Sequence, residues 1–367
     1  MKILVFAGFS KSLIHFRKEL LERMIRNGHE VIAVGPEDNY KTEIENIGVK
    51  FIQLKFNRLA VNPLLDLKLI YQLSKLMKSE KPDVFFGYTI KPVIYGTIAA
   101  RLSGVKRRYS MVTGIGSLFI SSNKKTGILK SIAKKLYKLG FIFNEKVFFQ
   151  NNDDIEEFVK MKLIPNEKCI LVNGSGVNLD QYTASPLPNK NIFLFVGSVM
   201  GDKGIREYIE AANLVKLENS DAEFWIVGPM DNRISGISEK EMDDYVNSGL
   251  INYFGAVDNV KNYLDKCRYF VLPSYREGTP RSVLEAMAKG RPIITTDAPG
   301  CRETVINNVN GFLVPIKDYK VLSEKMLWMM KNPVKVEKMS KESLSLVKEK
   351  YEVQKINRQM LKVMGLE

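Results

Sequence analysis

Short apolar runs alternate along this chain with segments whose apolar residues recur every three or four positions. The runs predict buried strands and the spaced segments predict amphipathic helices. Regular alternation of the two is typical of parallel sheets built from βαβ units. Predicted strands in the first half are Lys2–Ala7, His29–Val34, Phe51–Phe56, Asp83–Tyr88, Arg108–Val112 and Val147–Gln150, and predicted helices include Leu13–Arg26 and Leu65–Lys78.

The pattern relaxes over residues 151–190 and then restarts. Ser185–Lys190 contains two prolines and reads as a linker, and the next strand begins at Ile192. We therefore predict one α/β domain over residues 1–184 and a second over residues 185–345, followed by a C-terminal segment, residues 346–367. At 367 residues, the chain is long enough for two full cores.

The segment Ser274–Ala288 carries the strongest chemical signal. It follows the apolar run Tyr269–Pro273, which predicts a buried strand. Thr279 is then a predicted N-cap, with Pro280 in the first helical position. A helix that begins there presents free N–H groups at the end of the strand, an arrangement that binds phosphate.

Two carboxylates, Glu277 and Glu285, lie on either side of this predicted anion site. Carboxylates repel a phosphate, but they accept hydrogen bonds from sugar hydroxyl groups. One acid is thus a candidate for holding a transferred hexose and the other for holding a ribose. Alternatively, Glu277 is a solvated loop charge and Glu285 faces water.

The sequence Glu-Gly-Thr-Pro-Arg-Ser-Val-Leu-Glu-Ala-Met-Ala, which begins at Glu277, resembles the signature of family 4 of the retaining, nucleotide-sugar-dependent glycosyltransferases. The resemblance implies the GT-B fold, in which two Rossmann-like domains face each other with the donor in the cleft and C-terminal helices cross back. It assigns residues 346–367 to packing on the first domain. It also implies catalytic roles for Glu277, Lys203 and Glu285.

The same resemblance implies a set of donor-binding residues. Lys203 is expected to neutralise the leaving diphosphate, and Val257 to flank the base. Members of the family usually have an arginine where this chain has Ser198, so either Arg206 or Arg281 substitutes, or helix amides hold the diphosphate. The full set is Gly197, Ser198, Lys203, Gly228, Pro229, Val257, Gly278, Thr279, Pro280, Arg281, Ser282 and Glu285.

Loops that follow the strands of the first half supply candidates for an acceptor diphosphate site. The first loop, from Gly8, is not a dinucleotide fingerprint, and its Arg17 is suited to bidentate diphosphate binding. Alternatively, Arg17 lies on a solvated face with His15 packed, and the loop glycines only form turns. Many family members have a histidine after the fourth strand, where this chain has Lys91. The candidates are Ser12, His15, Arg17, Lys91, Thr113, Gly114, Gly116 and Ser117.

Positive charge is concentrated in the first half. Residues 1–165 contain 28 Lys and Arg against 15 Asp and Glu, whereas the remaining residues contain 27 against 26. Lys124–Phe143 combines an apolar stripe with a stripe of Lys130, Lys134 and Lys138, which predicts an amphipathic helix that docks on an anionic membrane. The apolar stripe consists of Leu129, Ile132, Leu136, Leu139 and Phe143. The alternative is that the stripe packs in the core and the lysines face water.

Other features of the sequence exclude several kinds of metal site and membrane segment. The three cysteines have no metal-ligand spacing, and two histidines cannot form a histidine-rich metal site. With no apolar run of about 20 residues and an N-terminus that reads as a strand, we expect a cytoplasmic protein at the inner face of the membrane. No Asp-x-Asp follows a strand, so we expect no metal and no cofactor besides the donor. The sequence does not predict an oligomeric state.

The resemblance extends to bacterial transferases that add N-acetylgalactosamine (GalNAc) to lipid-linked glycans. It implies an enzyme that transfers a hexose or N-acetylhexosamine, with GalNAc favoured, from a UDP-sugar. It also implies that the acceptor is a polyprenyl-diphosphate-linked saccharide in the assembly of surface polysaccharide, O-antigen or glycoprotein glycan. The alternatives are another nucleotide sugar or a non-lipid acceptor. A basic nucleic-acid-binding protein is a remote alternative, because the first half has no recognised binding motif.

Overall fold

The computed structural model describes residues 1–58, 60, 62–114, 124–231 and 236–367, with the side chains of residues 124–126, 128 and 129 left out. Its chain divides into two compact units. Residues 1–175 and 354–367 form the first unit, and residues 176–353 form the second. The sequence analysis places the corresponding boundaries at 184/185 and 345/346.

The first unit contains a seven-stranded sheet in the order β3-β2-β1-β4-β5-β6-β7, with every described pairing parallel. Apolar runs such as Ile3–Ala7 are buried on both faces, as expected of a central parallel strand. The strands are β1 Lys2–Ala7, β2 Glu30–Gly35, β3 Lys50–Gln53, β4 Val84–Tyr88, β5 Arg107–Val112, β6 Lys146–Phe149 and β7 Cys169–Leu171.

Helices cover both faces of this sheet, so alternate residues of β1 enter two different cores. Ile3 and Val5 pack with the C-terminal helix, whereas Leu4 and Phe6 pack with helices from the middle of the unit. The helices are α1 Lys11–His15, α2 Lys18–Arg26, α3 Lys41–Asn46, α4 Pro63–Glu80, a π-helical turn Pro92–Gly96 continued by α5 Thr97–Leu102, α6 Lys124–Phe143, and α7 Asn152–Lys160.

The second unit contains a six-stranded parallel sheet in the order β10-β9-β8-β11-β12-β13. Its strands are β8 Ile192–Val196, β9 Glu223–Val227, β10 Asn252–Tyr253, β11 Tyr269–Leu272, β12 Ile293–Thr296 and β13 Gly311–Val314. Its helices are α8 Ile205–Glu218, α9 Glu239–Asn247, α10 Lys261–Lys266, α11 Arg281–Ala288, α12 Tyr319–Lys331 and α13 Pro333–Lys350, and α14 Val353–Met364 ends the chain.

The C-terminal helix α14 belongs almost entirely to the first unit. Ile356, Met360 and Leu361 are buried in the core that includes β1, so the helix completes one face of the first sheet. The chain thus returns to the first unit after it has formed the second.

Two sequence predictions about the first unit need correction. The predicted helix Leu13–Arg26 is interrupted at Phe16 and Arg17, whose backbone angles leave the helical region. The interruption turns the Arg17 side chain into the interior, where it is 2% exposed. The predicted strand Phe51–Phe56 ends at Gln53, because the sheet has no further partner beyond the end of β2.

Candidate active site

Both sheets reverse their strand order at a central pair of strands. The reversal lies between β8 and β11 in the second unit and between β1 and β4 in the first. Ligands of doubly wound sheets bind outside the carboxyl ends of the strands at such a point. The loops that follow these four strands carry most of the residues that the sequence analysis selects.

In the second unit, the loops after β8 and β11 meet through a pair of opposite charges. Lys203 Nζ contacts Glu277 Oε1, and Ser274 Oγ donates to the same carboxylate oxygen at 2.9 Å. Lys203 keeps 28% of its side chain exposed. The structure thus brings together Lys203, which the sequence analysis assigns to the leaving diphosphate, and one of the two acids that it selects for binding sugar hydroxyl groups.

Backbone contacts fix the loop that carries Glu277. The amide of Tyr275 donates to Asp202 O at 2.9 Å, and the amide of Glu277 donates to Pro299 O at 2.9 Å. Gly300 has φ +80°, and a Cβ there would lie 2.2 Å from Glu277 O. Only glycine allows this approach, so the loops after β8, β11 and β12 are held as one structure.

The helix after β11 begins one residue later than the sequence predicts. Pro280, rather than Thr279, occupies the N-cap, and α11 starts at Arg281. The amides of Val283 and Leu284 donate to Pro280 O at 3.1 and 3.3 Å. Proline fixes its own φ near the value seen here, −71°, so it directs the chain into the helix without a side-chain cap. Thr279 and Ser282 flank this start.

Glu285 lies one turn into α11 and is largely buried, with 13% of its side chain exposed. Arg281 Nε donates to its Oε1 at 3.0 Å. Burial raises the pKa of the Glu285 carboxyl, while Arg281, a hydrogen bond from Tyr182 and the charge of Lys261 act in the opposite direction. Because Glu285 is enclosed in this way, the structure contradicts the alternative in which it faces water.

Tyr182 and Lys261 are residues that the sequence analysis does not select. Lys261 Nζ lies 5.0 Å from the centre of the Tyr182 ring. They come from separate segments, one near the start of the second unit and one on α10, and meet only in the folded chain. The one sequence signal that points to this pair is Tyr182 itself, an aromatic residue within residues 151–190, where the regular pattern relaxes.

Gly228, which follows β9, allows another close backbone approach. Its φ is +148°, and a Cβ there would lie 1.9 Å from Gly197 O. Tyr253 donates its hydroxyl hydrogen to Gly228 O at 2.9 Å. Pro229 O accepts from the Val199 amide at 2.9 Å, which joins the loops after β8 and β9. Val257 packs partly buried against the core of the same unit.

Both arginines proposed to compensate for Ser198 already have carboxylate partners. Arg206 contacts Glu241 at 3.3 Å and donates to Gly236 O at 2.8 Å on the exposed side of α8. Arg281 binds Glu285. Of the two, only Arg281 stands at the start of α11, where the sequence analysis expects a phosphate.

In the first unit, Arg17 occupies the interior at the β1–β4 edge. Its Nη2 lies 2.6 Å from Met111 Sδ, and its guanidinium lies 5.2 Å from the Tyr88 ring centre. Tyr88 and Ser12 share a hydrogen bond of 2.9 Å, and burial raises the pKa of Tyr88 to about 12. The structure contradicts the alternative in which Arg17 lies on a solvated face.

Lys91, a second predicted acceptor ligand, is also buried. Its Nζ contacts Asp66 Oδ1 at 2.5 Å, and Tyr95 donates to Asp66 Oδ2 at 2.9 Å. Burial and the neighbouring Asp66 both raise the pKa of Tyr95. Asp66 lies on α4, so this ion pair joins the loop after β4 to that helix. Sequence reasoning missed Asp66 because no periodic signal marks a buried acid.

Thr89 follows β4 and has φ +71°, a conformation that is strained for a β-branched residue. Its Oγ1 would lie 2.1 Å from a Cβ at Gly8, so a glycine is required opposite it. The sequence analysis selects the segment but not this residue. Strained backbone concentrates at ligand sites, which makes Thr89 a further candidate at the acceptor edge.

The other predicted acceptor residues lie in different environments or outside the described residues. His15 is exposed and lies edge-on to Tyr40, with ring centres 6.5 Å apart. Thr113 and Gly114 directly follow β5, and Gly114 has φ +131°. Gly116 and Ser117 lie outside the described residues.

The described part of the chain has neither a metal-binding cluster nor a membrane-spanning helix. No cluster of three or more His, Cys, Asp or Glu side chains suited to a metal ion occurs there. Among the same residues, no helix combines the length and the apolar character needed to span a bilayer.

Two family models match the chain. Residues 182–345 match "Glycosyl transferases group 1", and residues 2–151 match "Glycosyl transferase 4-like". A Campylobacter jejuni N,N'-diacetylbacillosaminyl-diphospho-undecaprenol α-1,3-N-acetylgalactosaminyltransferase is 31% identical over 340 residues, covering 89% of this chain and 88% of the relative. An Escherichia coli UDP-Gal:α-D-GlcNAc-diphosphoundecaprenol α-1,3-galactosyltransferase is 30% identical, covering 69% and 67%.

Solved structures share the fold at low identity. Anabaena HepE in complex with UDP superposes with a TM-score of 0.78 at 16% identity over the full length of both chains. Sucrose-phosphate synthase from Thermosynechococcus elongatus gives a TM-score of 0.82 at 17% identity, covering 99% and 98% of the two chains. The predicted GT-B fold is confirmed.

Proposed function

This chain belongs to the group 1 and 4-like glycosyltransferases, and on that premise we propose that it transfers N-acetylgalactosamine from UDP-GalNAc to a saccharide on polyprenyl diphosphate. The observation that carries the proposal is the set of Lys203, Glu277 and Glu285 at the β8–β11 edge. The donor sugar and the lipid carrier are chosen because the Campylobacter relative, similar over 89% of this chain, is by its name an N-acetylgalactosaminyltransferase for a diphospho-undecaprenol-linked sugar.

In the proposed reaction, the bond between C1 of the sugar and the diphosphate oxygen breaks as C1 bonds to an acceptor hydroxyl. The acceptor proton passes to the leaving diphosphate on the same face, so no separate protein base is needed and the α configuration is retained. Lys203 stabilises the charge that develops on the diphosphate. Its ammonium has three donors, so it can contact Glu277 and a phosphate together.

The two acids bind rather than transfer protons. Glu277 accepts a hydrogen bond from a hexose hydroxyl, and Glu285 accepts one from the ribose. Ser274 and Lys203 already orient the first acid, and Arg281 orients the second. Such orientation before the donor arrives reduces the cost of binding. No step of this mechanism needs a metal ion.

Helix α6 supports the proposed site at the inner face of the membrane. Tyr137 and Phe141 supply its buried face, while Ile132 and Leu139, two members of the predicted apolar stripe, are 45% and 41% exposed. Lys138 is exposed beside them. The stripe is therefore only partly used for packing and leaves apolar area for an anionic surface.

A donor screen tests the proposed function. UDP-GalNAc at 100 times its Kd adds about 2.7 kcal/mol to the free energy of unfolding, so the melting temperature is expected to rise, and by more than with UDP-galactose or GDP-sugars. Transfer to a diphosphate-linked acceptor, with the product anomer assigned by NMR, is expected to give the α product and to vanish in Glu285→Ala. Full activity in that variant, or a β product, contradicts the mechanism.

A further inference from the structure

Helix α4 carries large apolar side chains on two faces, although only one of the faces is packed. Leu69, Leu73 and Met77 recur at helical spacing and are buried in the first unit. On the opposite face Leu64 and Tyr71 are 77% and 69% exposed. An ordinary amphipathic helix has polar residues there.

The exposed side chains form a continuous strip. Leu64, Leu67 and Tyr71 follow the i, i+3, i+7 spacing of one helix face, and Leu67 is 63% exposed. Large apolar side chains that stand together on a surface usually mark an interaction site. We call Leu64, Leu67 and Tyr71 the α4 ridge.

The α4 ridge lies at the edge of the sheet where the acceptor loops emerge. Helix α4 follows β3, so its first turns start at the carboxyl end of the parallel strands. Asp66, on the buried side of those turns, pairs with Lys91 of the loop after β4 at 2.5 Å. The ridge and an acceptor-side loop are thus held together through a buried ion pair.

Charge around the ridge distinguishes between a membrane and a second copy of the chain. Lys68 and Lys75 are exposed on the same face as the ridge. In a symmetric dimer through this patch, each lysine would face the same region of its copy, and lysine is depleted from the cores of protein interfaces. Apolar side chains flanked by lysine suit an anionic bilayer, where the ammonium groups remain at the headgroups.

We infer that the α4 ridge inserts into the interface of an anionic bilayer and holds the acceptor edge of the first unit against the membrane. The inference rests on the proposed function, because a lipid-linked diphosphate lies at the bilayer surface. The ridge supplies apolar contact, whereas the lysines of α6 supply mainly electrostatic attraction. The two contributions therefore differ in their response to salt.

Vesicle flotation tests the inference with the full chain. The variant L64Q/L67Q/Y71Q is expected to bind phosphatidylglycerol–phosphatidylcholine vesicles about tenfold more weakly or worse, at both low and high salt. The matched control is L217Q, because Leu217 on α8 of the second unit is 78% exposed. K130E/K134E/K138E is expected to lose binding mainly at low salt. Wild-type binding by the ridge variant would overturn the inference.

Two further measurements separate this inference from the proposed function. The ridge variant is expected to keep its UDP-dependent melting shift and its turnover of a short-chain, water-soluble acceptor, while losing turnover of a long-chain acceptor in vesicles. Loss of activity on both acceptors would overturn the specific role of the ridge. A wild-type dimer that the ridge variant dissociates in sedimentation experiments without lipid would identify an interface between copies and also overturn it.

Discussion

The two sheet edges at which the strand order reverses differ in how far they bury their positively charged side chains. At the β8–β11 edge, Lys203 keeps more than a quarter of its side chain exposed while it contacts Glu277. At the β1–β4 edge, Arg17 and Lys91 are enclosed. A cation that remains accessible can still be used by a ligand, whereas an enclosed one is already engaged by groups of the protein. The sequence presents both edges as equivalent sets of loop residues.

Under the proposed function, this difference corresponds to distinct tasks for the two edges. In the second unit, Lys203 stays accessible to the diphosphate of the proposed donor, and glycines allow the surrounding loops to approach each other. In the first unit, the buried Lys91 joins a loop to a helix through Asp66, and the buried Arg17 lies against Met111 and Tyr88 of the sheet. Its acceptor contacts would then come from hydroxyl groups and backbone such as those of Thr89 and Thr113.

The largest expected effect tests whether Lys91 is structural. Lys91→Met leaves Asp66 buried without its cation, and breaking such a pair costs about 3–5 kcal/mol of the free energy of unfolding. Chemical denaturation measures this loss, with Lys78→Met on the exposed side of α4 as control. The double variant Lys91→Met/Asp66→Leu is expected to recover part of the loss. Normal stability combined with a loss confined to acceptor turnover would identify Lys91 as an acceptor ligand. The proposed difference between the cations of the two edges would then be wrong.

The next effect concerns the accessible cation. Lys203→Ala is expected to lower kcat by about 10²–10³, the usual result of removing a group that stabilises developing charge. The loss of stability should be smaller than that of Lys91→Met, because Lys203 keeps 28% of its side chain exposed, against 10% for Lys91. The control is Lys240→Ala, an exposed lysine of α9. Unchanged kcat would show that the diphosphate leaves without Lys203.

The fold was predictable because βα alternation is a local property that each strand and helix repeats. The candidate residues of the second unit could be selected from the sequence because Ser274, Glu277 and Glu285 fall within one short segment, and their role in donor binding stays a prediction. The partners Asp66 and Tyr182 could not be selected, because each comes from a distant segment and is defined only by what it touches after folding. The inward turn of Arg17 was missed for the same reason.

The smallest expected effect concerns Glu285. This enclosed acid shows that the second unit, like the first, contains a buried charged side chain. Burial raises its pKa above the ordinary 4.5 despite Arg281, so the folded state binds this proton more tightly than the unfolded state does. Protonated Glu285 therefore contributes to the stability of the wild type, and this contribution is fully present below pH 4.5 and is lost as the pH rises through the raised pKa. Glu285→Gln does not titrate, so its melting temperature should exceed that of the wild type increasingly over this range and match it at lower pH. Glu342→Gln, an exposed acid of α13, is the control. A variant that is less stable than the wild type at neutral pH would mean that the pair with Arg281 outweighs burial, and Glu285 would then resemble Lys91 as a structural charge.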